Sequence, residues 1–483
     1  MIKDTLINEM EKIGFCWNVG SWQEAILDYV VGSKLTEKYD LEGYYVVVPS
    51  KKSFNVLKDK KNVEVAPNFM DKPDNFSYKR YNDYDLPENL TFELLRFSDL
   101  VLREMPRKKA FRIIENYLSF WDDFFDKHEN IKFIVTYPTG GIIGRAAYCI
   151  AKKRNIYYFT IDVVGDRALI SDINENNANK KLIDIYELYK KNSELSDGER
   201  QNVLSYVNSF KNKGAMLCIP DNPTKNINRR FKTLLSLLSF DDKCPWAKRH
   251  VIFKDYAKRV YGYFIGKYKI KYDKIRKEEK FVFFPLHLAF DMQVLVRSPF
   301  YFNHAELVNS IALALPKDIK IYVKEHPGWI GGGTPLEQMK KIKKIEKVRV
   351  IDPSINSHDL IKNSEAVITI ASTTGWEAFL YEKTVITFGN AFYSYSDLVY
   401  IPERIEQIPK LIKAVLENKK HYTDNKKLWE SFIYAVLEAS FFANTVVYLK
   451  VNDKLNKIEA EKIAKALYDT YQYNLKDENH IQK

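Results

Sequence analysis

The sequence predicts an α/β protein with two Rossmann-like domains that face a cleft, followed by a C-terminal helical segment. The chain has 483 residues, which is too long for one hydrophobic core. Short runs rich in Val, Ile and Phe alternate with segments of helical spacing, as is typical of parallel sheets covered by helices. An apolar fraction of 46% and an aromatic fraction of 14% are enough to bury two such sheets.

The first block, residues 1–215, contains a strand–turn–helix–strand unit. We predict strands at Tyr44–Val48, Ile131–Thr136 and Ile156–Ile161, and a helix at Ile142–Lys153. This order is that of a βαβ unit. Thr139, Gly140 and Gly141 form its turn and are candidates for a ligand contact, although turn glycines more often serve the tight backbone. The turn is not a GxGxxG fingerprint, which argues against a nicotinamide cofactor.

Residues 216–280 are predicted to be a basic, aromatic and helical connector. The net charge of the chain is +12, and much of it lies between Lys248 and Lys280 among Phe and Tyr residues. One interpretation is a solvated helix whose aromatic side chains pack on the core. The other is a surface that binds an anionic membrane. Nucleic acid is not expected as a partner, because no recognisable binding motif accompanies the charge.

The second block, residues 281–420, alternates more regularly, and residues 421–483 are predicted to be helical. The predicted strands are Phe281–Phe284, Ile319–Val323, Val348–Ile351, Ala366–Ile370 and Thr384–Thr387. The predicted helices are Ala305–Leu315, Leu336–Ile345, His358–Lys362, Thr374–Tyr381, Ile405–Leu416, Asn425–Ala439 and Ile458–Tyr471. This spacing predicts a parallel, doubly wound sheet.

Two polar segments follow strands of the second block, Lys324-Glu325-His326-Pro327 and Ser372-Thr373-Thr374-Gly375-Trp376-Glu377. Ligands of open α/β sheets bind at such strand ends. His326 can donate a hydrogen bond to a phosphate, and Pro327 restricts the backbone before it, which fixes the direction of the imidazole. A histidine, hydroxyl groups, a glycine and a glutamate suit a phosphate plus a ribose.

The glutamate of the second segment has two interpretations. Ser372, Thr373 and Thr374 open a predicted helix whose N–H groups and dipole favour a phosphate, and Gly375 allows a ligand to approach the backbone. Glu377 either accepts the ribose hydroxyl groups or closes a Thr374-x-x-Glu377 capping box by bonding back to a backbone N–H. Spacing alone leaves both open.

Asp291 is the first catalytic candidate. It lies in the Pro285–Gln293 loop after the first strand of the second block, so we expect it at the same edge of the sheet. A carboxylate there can act as a nucleophile or a general base, and a solvated loop aspartate is the alternative. His287, in the same loop, is the second candidate.

Several protein classes are not expected. Cys16, Cys149, Cys218 and Cys244 form no CxxC pair, so we expect reduced cytosolic thiols rather than a zinc or disulfide framework. No Walker loop or HExxH motif is present, and we expect no metal and no bound cofactor. The absence of a signal peptide and of a long apolar run favours a cytoplasmic protein. If the basic connector binds lipid, the protein is peripheral at the inner face of the cell membrane.

The second block resembles the bacterial and archaeal capsule polysaccharide biosynthesis family, which includes the β-Kdo transferases. The resemblance runs from about Phe281 to Tyr393. It is carried by Pro285–Gln293, Lys324–Pro327 and Ser372–Ala378, with a continuation through Thr387-Phe388-Gly389 to Phe392-Tyr393. It implies a GT-B fold and a CMP-activated acidic sugar as donor substrate.

On this resemblance, His326 and Ser372–Thr374 hold the donor phosphate and cytidine, Glu377 binds the ribose, and Asp291 is the catalytic aspartate. His287 stands where a glutamine is expected in the family's transferases. The resemblance implies a glycosyltransferase that moves a Kdo-like ulosonic sugar to a glycan or lipid-linked acceptor. Thr139, Gly140 and Gly141 are then the acceptor-side candidates.

Three alternatives stay open. The first is a CDP-alcohol glycerophosphotransferase, a family that typically has aspartate where this chain has Glu377. The second is a UDP-sugar 2-epimerase, and the third is a non-catalytic partner in polysaccharide assembly.

Overall fold

A computed structural model describes residues 12–20, 22–49, 51–70, 79–136, 141–172, 179–191, 194–213, 270–289, 291–326, 333–417, 421–442 and 457–481. Within these residues the chain forms a seven-stranded and a six-stranded sheet, both mainly parallel and both covered by helices. The predicted fold class, α/β with two Rossmann-like domains, is confirmed.

The N-terminal sheet is built around its first strand. Its strands are β1 (Gly14–Val19), β2 (Glu42–Val47), β3 (Val63–Val65), β4 (Ile131–Thr136), β5 (Tyr157–Val164) and β6 (Arg167–Ser171). Its helices are α1 (Trp22–Tyr39), α2 (Lys51–Leu57), α3 (Phe92–Ser98), α4 (Arg107–Lys127), α5 (Ile142–Lys153), α6 (Lys180–Lys191) and α7 (Asp197–Lys213). The order β6-β5-β4-β1-β2-β3 is parallel except for β6, so the chain changes direction across the sheet between β1 and β4.

The C-terminal sheet is parallel throughout its named strands. These are β7 (Phe281–Pro285), β8 (Lys320–Lys324), β9 (Val348–Ile351), β10 (Ala366–Thr369), β11 (Thr384–Thr387) and β12 (Val399–Tyr400). The helices are α8 (Met292–Leu295), α9 (His304–Ala314), α10 (Leu336–Lys343), α11 (Ser357–Asn363), α12 (Thr373–Leu380) and α13 (Ile408–Glu417). The order β12-β11-β10-β7-β8-β9 places the change of direction between β7 and β10.

Burial explains why these runs form strands. All residues of β1, β7 and β10 are buried, because helices cover both faces of each sheet. Continuous apolar runs rather than alternating ones are the pattern that such a position requires.

The C-terminal segment returns to the N-terminal domain. It contains α14 (His421–Asp424), α15 (Lys426–Ala439), the short strand β13 (Phe441–Phe442) and α16 (Lys457–Ile481). Helix α15 packs on α6 and α7, β13 pairs antiparallel with β6, and α16 packs on α1. The described residues of this segment are mainly helical, and β13 extends the first sheet to seven strands.

The predicted connector lies mostly outside the described residues, which resume at residue 270. From 270 to 280 the chain is not helical, so the prediction of a helix is wrong there. Asp273 instead pairs with the edge of the C-terminal sheet: its N–H donates to the Val350 carbonyl and its carboxylate accepts from the Val350 N–H, both at 2.8 Å. No helix in the described part of the chain is long and apolar enough to cross a membrane.

Candidate functional site

The predicted site residues meet at one edge of the C-terminal sheet. Strands β10, β7 and β8 are neighbours and parallel, so their carboxyl ends lie side by side. Ser372 follows β10, His287 and Asp291 follow β7, and His326 follows β8. This edge is also the point where the strand order reverses, which is where open α/β sheets bind ligands. Pro327 lies outside the described residues.

The N-terminus of α12 is capped by its own chain. The Ser372 hydroxyl accepts a hydrogen bond from the Thr374 N–H at 3.2 Å, and Thr369 Oγ1 accepts from the Ser372 N–H at 3.1 Å. The first turn contains no acidic residue. Thr373 is exposed at the first helical position. No described carboxylate accepts a hydrogen bond from the first N–H groups of α12, and the positive end of the helix dipole there suits a phosphate.

Glu377 does not close the capping box. Since Ser372 is the N-cap, the third helical position is Gly375, and the Glu377 carboxylate accepts no hydrogen bond from the residues that the structure describes. Burial raises the pKa of Glu377 to about 7, and the Lys324 ammonium partly offsets that rise. The capping interpretation is therefore wrong, while ribose binding stays a prediction.

Lys324 is a site residue to which the sequence analysis gave no separate role. Its side chain is buried, and its ammonium donates to the Ser357 hydroxyl at 2.7 Å. Burial lowers the pKa of Lys324 to about 8, with Glu377 and Asp352 acting in the opposite direction. Among the described residues, Lys324 forms no direct ion pair with Glu377. The two groups are therefore close enough to interact electrostatically without a direct ion pair.

His326 completes this side of the site. It is accessible to solvent, but packing around the ring and the nearby Lys324 ammonium lower its pKa, and the Asp291 carboxylate opposes them. The imidazole is therefore mainly neutral at pH 7. A neutral imidazole can still donate one N–H hydrogen bond to a phosphate oxygen.

Asp291 caps the short helix α8. One carboxylate oxygen accepts from the Gln293 N–H at 3.0 Å. Burial raises the pKa of Asp291, and the Gln293 N–H, Arg297 and His326 lower it. The other carboxylate oxygen accepts no hydrogen bond from any described residue, and the catalytic role of Asp291 stays a prediction.

His287 joins two loops of the site. Its Nε2 accepts a hydrogen bond from the Ala371 N–H at 3.2 Å and lies 3.4 Å from Thr369 Oγ1. Burial lowers the pKa of His287 to about 4, with His326 adding to the effect. Nε2 is therefore unprotonated and engaged, which gives His287 a role in holding the β7 loop against the β10 loop. Its predicted catalytic role stays untested.

The packing of Tyr393 explains why residue 375 is a glycine, which the sequence analysis did not predict. A Cβ atom there would overlap the phenol ring of Tyr393. The Tyr393 hydroxyl donates to the Ser372 carbonyl at 2.7 Å and so supports the cap of α12. The glycine is thus explained by Tyr393, and its predicted contact with a ligand stays a prediction.

At the corresponding edge of the N-terminal sheet, the start of the helix binds a carboxylate of the protein itself. Helix α5 begins after Gly141, and the Ile142 N–H donates to the Asp99 carboxylate at 3.0 Å. The other Asp99 oxygen accepts from the Val101 and Leu102 N–H groups at 2.8 and 3.0 Å. A Cβ at Gly141 would meet open space. Thr139 and Gly140 lie outside the described residues.

No metal cluster is seen in the described ranges. Within them, no group of three or more His, Cys, Asp or Glu side chains is placed to hold a metal ion. Cys16 and Cys149 are buried and unpaired. Cys218 and Cys244 lie outside these ranges.

The fold and site define a two-domain Rossmann-like protein with an anion-suited ligand site in its C-terminal domain. Residues 239–406 match the family described as "Capsule polysaccharide biosynthesis protein", which confirms the family resemblance over this segment. Protein FixF of Sinorhizobium fredii is 34% identical over 138 residues, which are 27% of this chain. The match spans 32% of the length of FixF, about a third of that relative.

Solved structures show weaker similarity. KpsC of Thermosulfurimonas dismutans, titled a beta Kdo 2,4 transferase, has a TM-score of 0.39 at 14% identity, over 66% of this chain and 84% of that chain. UDP-GlcNAc 2-epimerase of Neisseria meningitidis has a TM-score of 0.29 at 12% identity, over 94% of this chain and 100% of that chain. Similarities at this level do not identify an activity.

Proposed function

We propose that the protein is a GT-B glycosyltransferase that transfers an acidic, Kdo-like ulosonic sugar from a CMP-activated donor to a glycan or lipid-linked acceptor. The observation that carries the proposal is the Glu377 carboxylate of α12, which accepts no hydrogen bond from described residues and interacts electrostatically with the buried Lys324 ammonium. The family match over residues 239–406 supports it.

The proposal gives the donor the following orientation in the site. The phosphate of CMP lies at the positive end of α12, with Ser372, Thr373 and His326 as hydrogen-bond donors. The ribose then lies between Lys324 and Glu377, whose carboxylate accepts from the two ribose hydroxyl groups. This orientation directs the sugar toward Asp291, across the switch point between β7 and β10.

The chemical step breaks the bond between the anomeric carbon and the phosphate oxygen, and CMP leaves with the electron pair. The N-terminus of α12 and His326 stabilise the charge that develops on the leaving phosphate. The acceptor hydroxyl forms the new bond. Asp291 acts either as the base that takes the hydroxyl proton or as the nucleophile of a covalent intermediate. Both roles require the ionised carboxylate.

The acceptor is proposed to approach from the N-terminal domain. A membrane-bound acceptor agrees with the net charge of +12 and the basic, aromatic composition of residues 248–280, which lie mostly outside the described residues. We expect sedimentation with anionic liposomes that weakens as salt rises, because such attraction decays within about 8 Å at physiological ionic strength. No sedimentation at low salt would argue against a peripheral location.

A nucleotide screen tests the proposal. The melting temperature of the protein is measured with CMP, CDP and UDP, since a ligand that binds only the folded state raises it. The proposal requires the largest rise with CMP, followed by transfer from a CMP-ulosonic acid. A rise with CDP alone would support the phosphotransferase, a rise with UDP alone the epimerase, and no rise at all a non-catalytic partner.

A further inference from the structure

A buried ion pair joins the two domains beside Asp291. Nη2 of Arg297, just beyond α8, donates to both carboxylate oxygens of Asp162 in β5, at 2.8 and 2.7 Å. The two side chains are only 1% and 4% exposed. Removal of either partner would leave a buried charge, so such a contact holds its two elements firmly.

The N-terminal side of this pair is fixed independently. Thr160 and Ser171 donate their hydroxyl groups to Asp162 Oδ2 at 2.8 and 2.6 Å. These two residues are partners in the antiparallel ladder of β5 and β6. Asp162 therefore presents its carboxylate to Arg297 from an interior strand of the sheet, held between β4 and β6.

The C-terminal side depends on the pair. Helix α8 is only four residues long, with Asp291 as its N-cap. The Arg297 N–H donates to the Met292 carbonyl at 3.2 Å, which ties Arg297 to the start of the same helix. A single helical turn is not stable by itself and needs tertiary contacts. Helix α3 of the N-terminal domain supplies one of them, because it packs on α8.

We propose that Arg297 is a positioning residue that, through Asp162 of the N-terminal domain, fixes α8 and thereby the direction of the Asp291 carboxylate in the cleft. This inference rests on the role of Asp291 in the proposed transfer. The direction of the Asp291 carboxylate then depends on both domains, because the residue that holds Arg297 is an aspartate of the N-terminal sheet.

Arg297 also contributes to the electrostatic environment of Asp291. The charged and titratable groups around it are Arg297 from its own segment and His326 from the end of β8, with Asp162 behind Arg297. Burial raises the pKa of Asp291, and Arg297 and His326 lower it. Loss of the Arg297 charge should raise that pKa further. Loss of the Asp162 charge keeps the positive charge of Arg297 and should not raise the pKa of Asp291.

The test compares Arg297→Gln, Arg297→Lys and Asp162→Asn with Lys190→Gln. Lys190 forms an ion pair with Asp397 at 2.7 Å, which also joins the two domains but lies away from the Asp291 loop. The measurements are kcat/KM for transfer against pH, CMP affinity, and amide hydrogen exchange of residues 291–297. Arg297→Lys and Asp162→Asn keep the test decisive if Arg297→Gln does not fold.

We expect kcat/KM to fall about 10- to 100-fold in Arg297→Gln and Asp162→Asn, because a misplaced catalytic group costs that order of rate. CMP affinity should change little. The acid limb of the profile should move to higher pH in Arg297→Gln, but not in Asp162→Asn or Arg297→Lys. Residues 291–297 should exchange faster in all three variants and at the wild-type rate in Lys190→Gln.

Wild-type kcat/KM and an unmoved acid limb in Arg297→Gln would overturn the inference. If the wild-type protein transfers no sugar from any CMP donor, the proposed function fails instead, and hydrogen exchange still decides whether the pair fixes α8. Unchanged exchange of residues 291–297 in Asp162→Asn and Arg297→Lys would then reject the positioning role.

Discussion

The two sheets have matching switch points that the chain uses differently. In the N-terminal sheet, the strand order reverses between β1 and β4, and the helix that follows β4 binds the Asp99 carboxylate at its first N–H. In the C-terminal sheet, it reverses between β7 and β10, and the helix that follows β10 is capped only by the Ser372 hydroxyl.

The difference shows that topology alone does not create a ligand site. Both helix ends offer N–H groups and a positive dipole, but an internal carboxylate already satisfies the N-terminal one. At the helix end in the C-terminal domain, the Lys324 ammonium and the Glu377 carboxylate form no direct ion pair with any described residue. The comparison assigns the donor to the C-terminal switch point, and the predictions below test that assignment.

Asp291→Asn should have the largest effect of these variants. It should lower the rate of sugar transfer without changing CMP binding. Loss of a catalytic carboxylate commonly costs about 10²- to 10⁴-fold in turnover. Asparagine caps a helix as well as aspartate does, so α8 should stay intact. Transfer from a CMP-ulosonic acid and CMP binding are measured on the same sample. Transfer within a few-fold of wild type would reduce Asp291 to a structural cap, and His287 would become the next candidate.

Glu377→Gln should weaken CMP binding by about 1.5–3 kcal/mol, since hydrogen bonds to a charged group are lost. The same substitution should leave the free energy of unfolding at high pH unchanged or raise it. The folded-state pKa of about 7 lies above the ordinary value of 4.5, so the stability associated with the protonated group is complete below that value and is lost as pH rises through 7.

At pH 8 the wild-type protein therefore bears a desolvated carboxylate that the glutamine variant lacks. Urea unfolding at pH 8 should show Glu377→Gln to be as stable as wild type or more so, by an amount on the order of 1 kcal/mol. A stability loss with unchanged CMP affinity would contradict ribose binding.

The affinity for a nucleoside should depend on pH by several-fold. Ionisation of Glu377 through about 7 should strengthen binding of the ribose hydroxyl groups, and loss of the Lys324 proton through about 8 should weaken it again. Calorimetry with cytidine at pH 6, 7.5 and 9 avoids the titration of the phosphate. The affinity of the wild-type protein should be highest near pH 7.5, and this optimum should vanish in Glu377→Gln. A wild-type affinity that does not change with pH would argue against ribose binding by Glu377.

Asp99→Asn should leave the donor site unchanged. Asparagine has one acceptor oxygen, so it cannot keep the Ile142 bond on one oxygen and the Val101 and Leu102 bonds on the other. A lost hydrogen bond costs about 0.5–1.5 kcal/mol of unfolding free energy. The melting temperature should fall while CMP affinity stays at the wild-type value. Weaker CMP binding in Asp99→Asn would show that the two switch points are not independent.

Strands with continuous apolar runs were predictable to within a few residues. Ile131–Thr136, Val348–Ile351 and Thr384–Thr387 are confirmed without a change of boundary. Strand β1, which is central to the N-terminal sheet, was not predicted, because Gly14, Cys16 and Asn18 interrupt its β-branched and aromatic character. Its burial comes from neighbours distant in sequence, which no local pattern reveals.

The sequence predicted which segments form the candidate site, but not which side chains contact one another there. Strand ends placed Asp291, His326 and Ser372 together without any three-dimensional information. The spacing of Thr374 and Glu377 left capping open, because capping depends on which residue begins the helix. The role of Lys324 and the Arg297–Asp162 pair depend on contacts between separate elements, and no spacing rule encodes them.

Hydrogen exchange with and without CMP tests the central claim most directly, because it observes both switch points in one experiment. The account predicts that CMP slows exchange at residues 324–326 and 372–377 and leaves residues 141–145, at the start of α5, unchanged. If CMP instead slows exchange at the start of α5 and leaves residues 372–377 unchanged, the account is contradicted and the nucleotide site lies in the N-terminal domain.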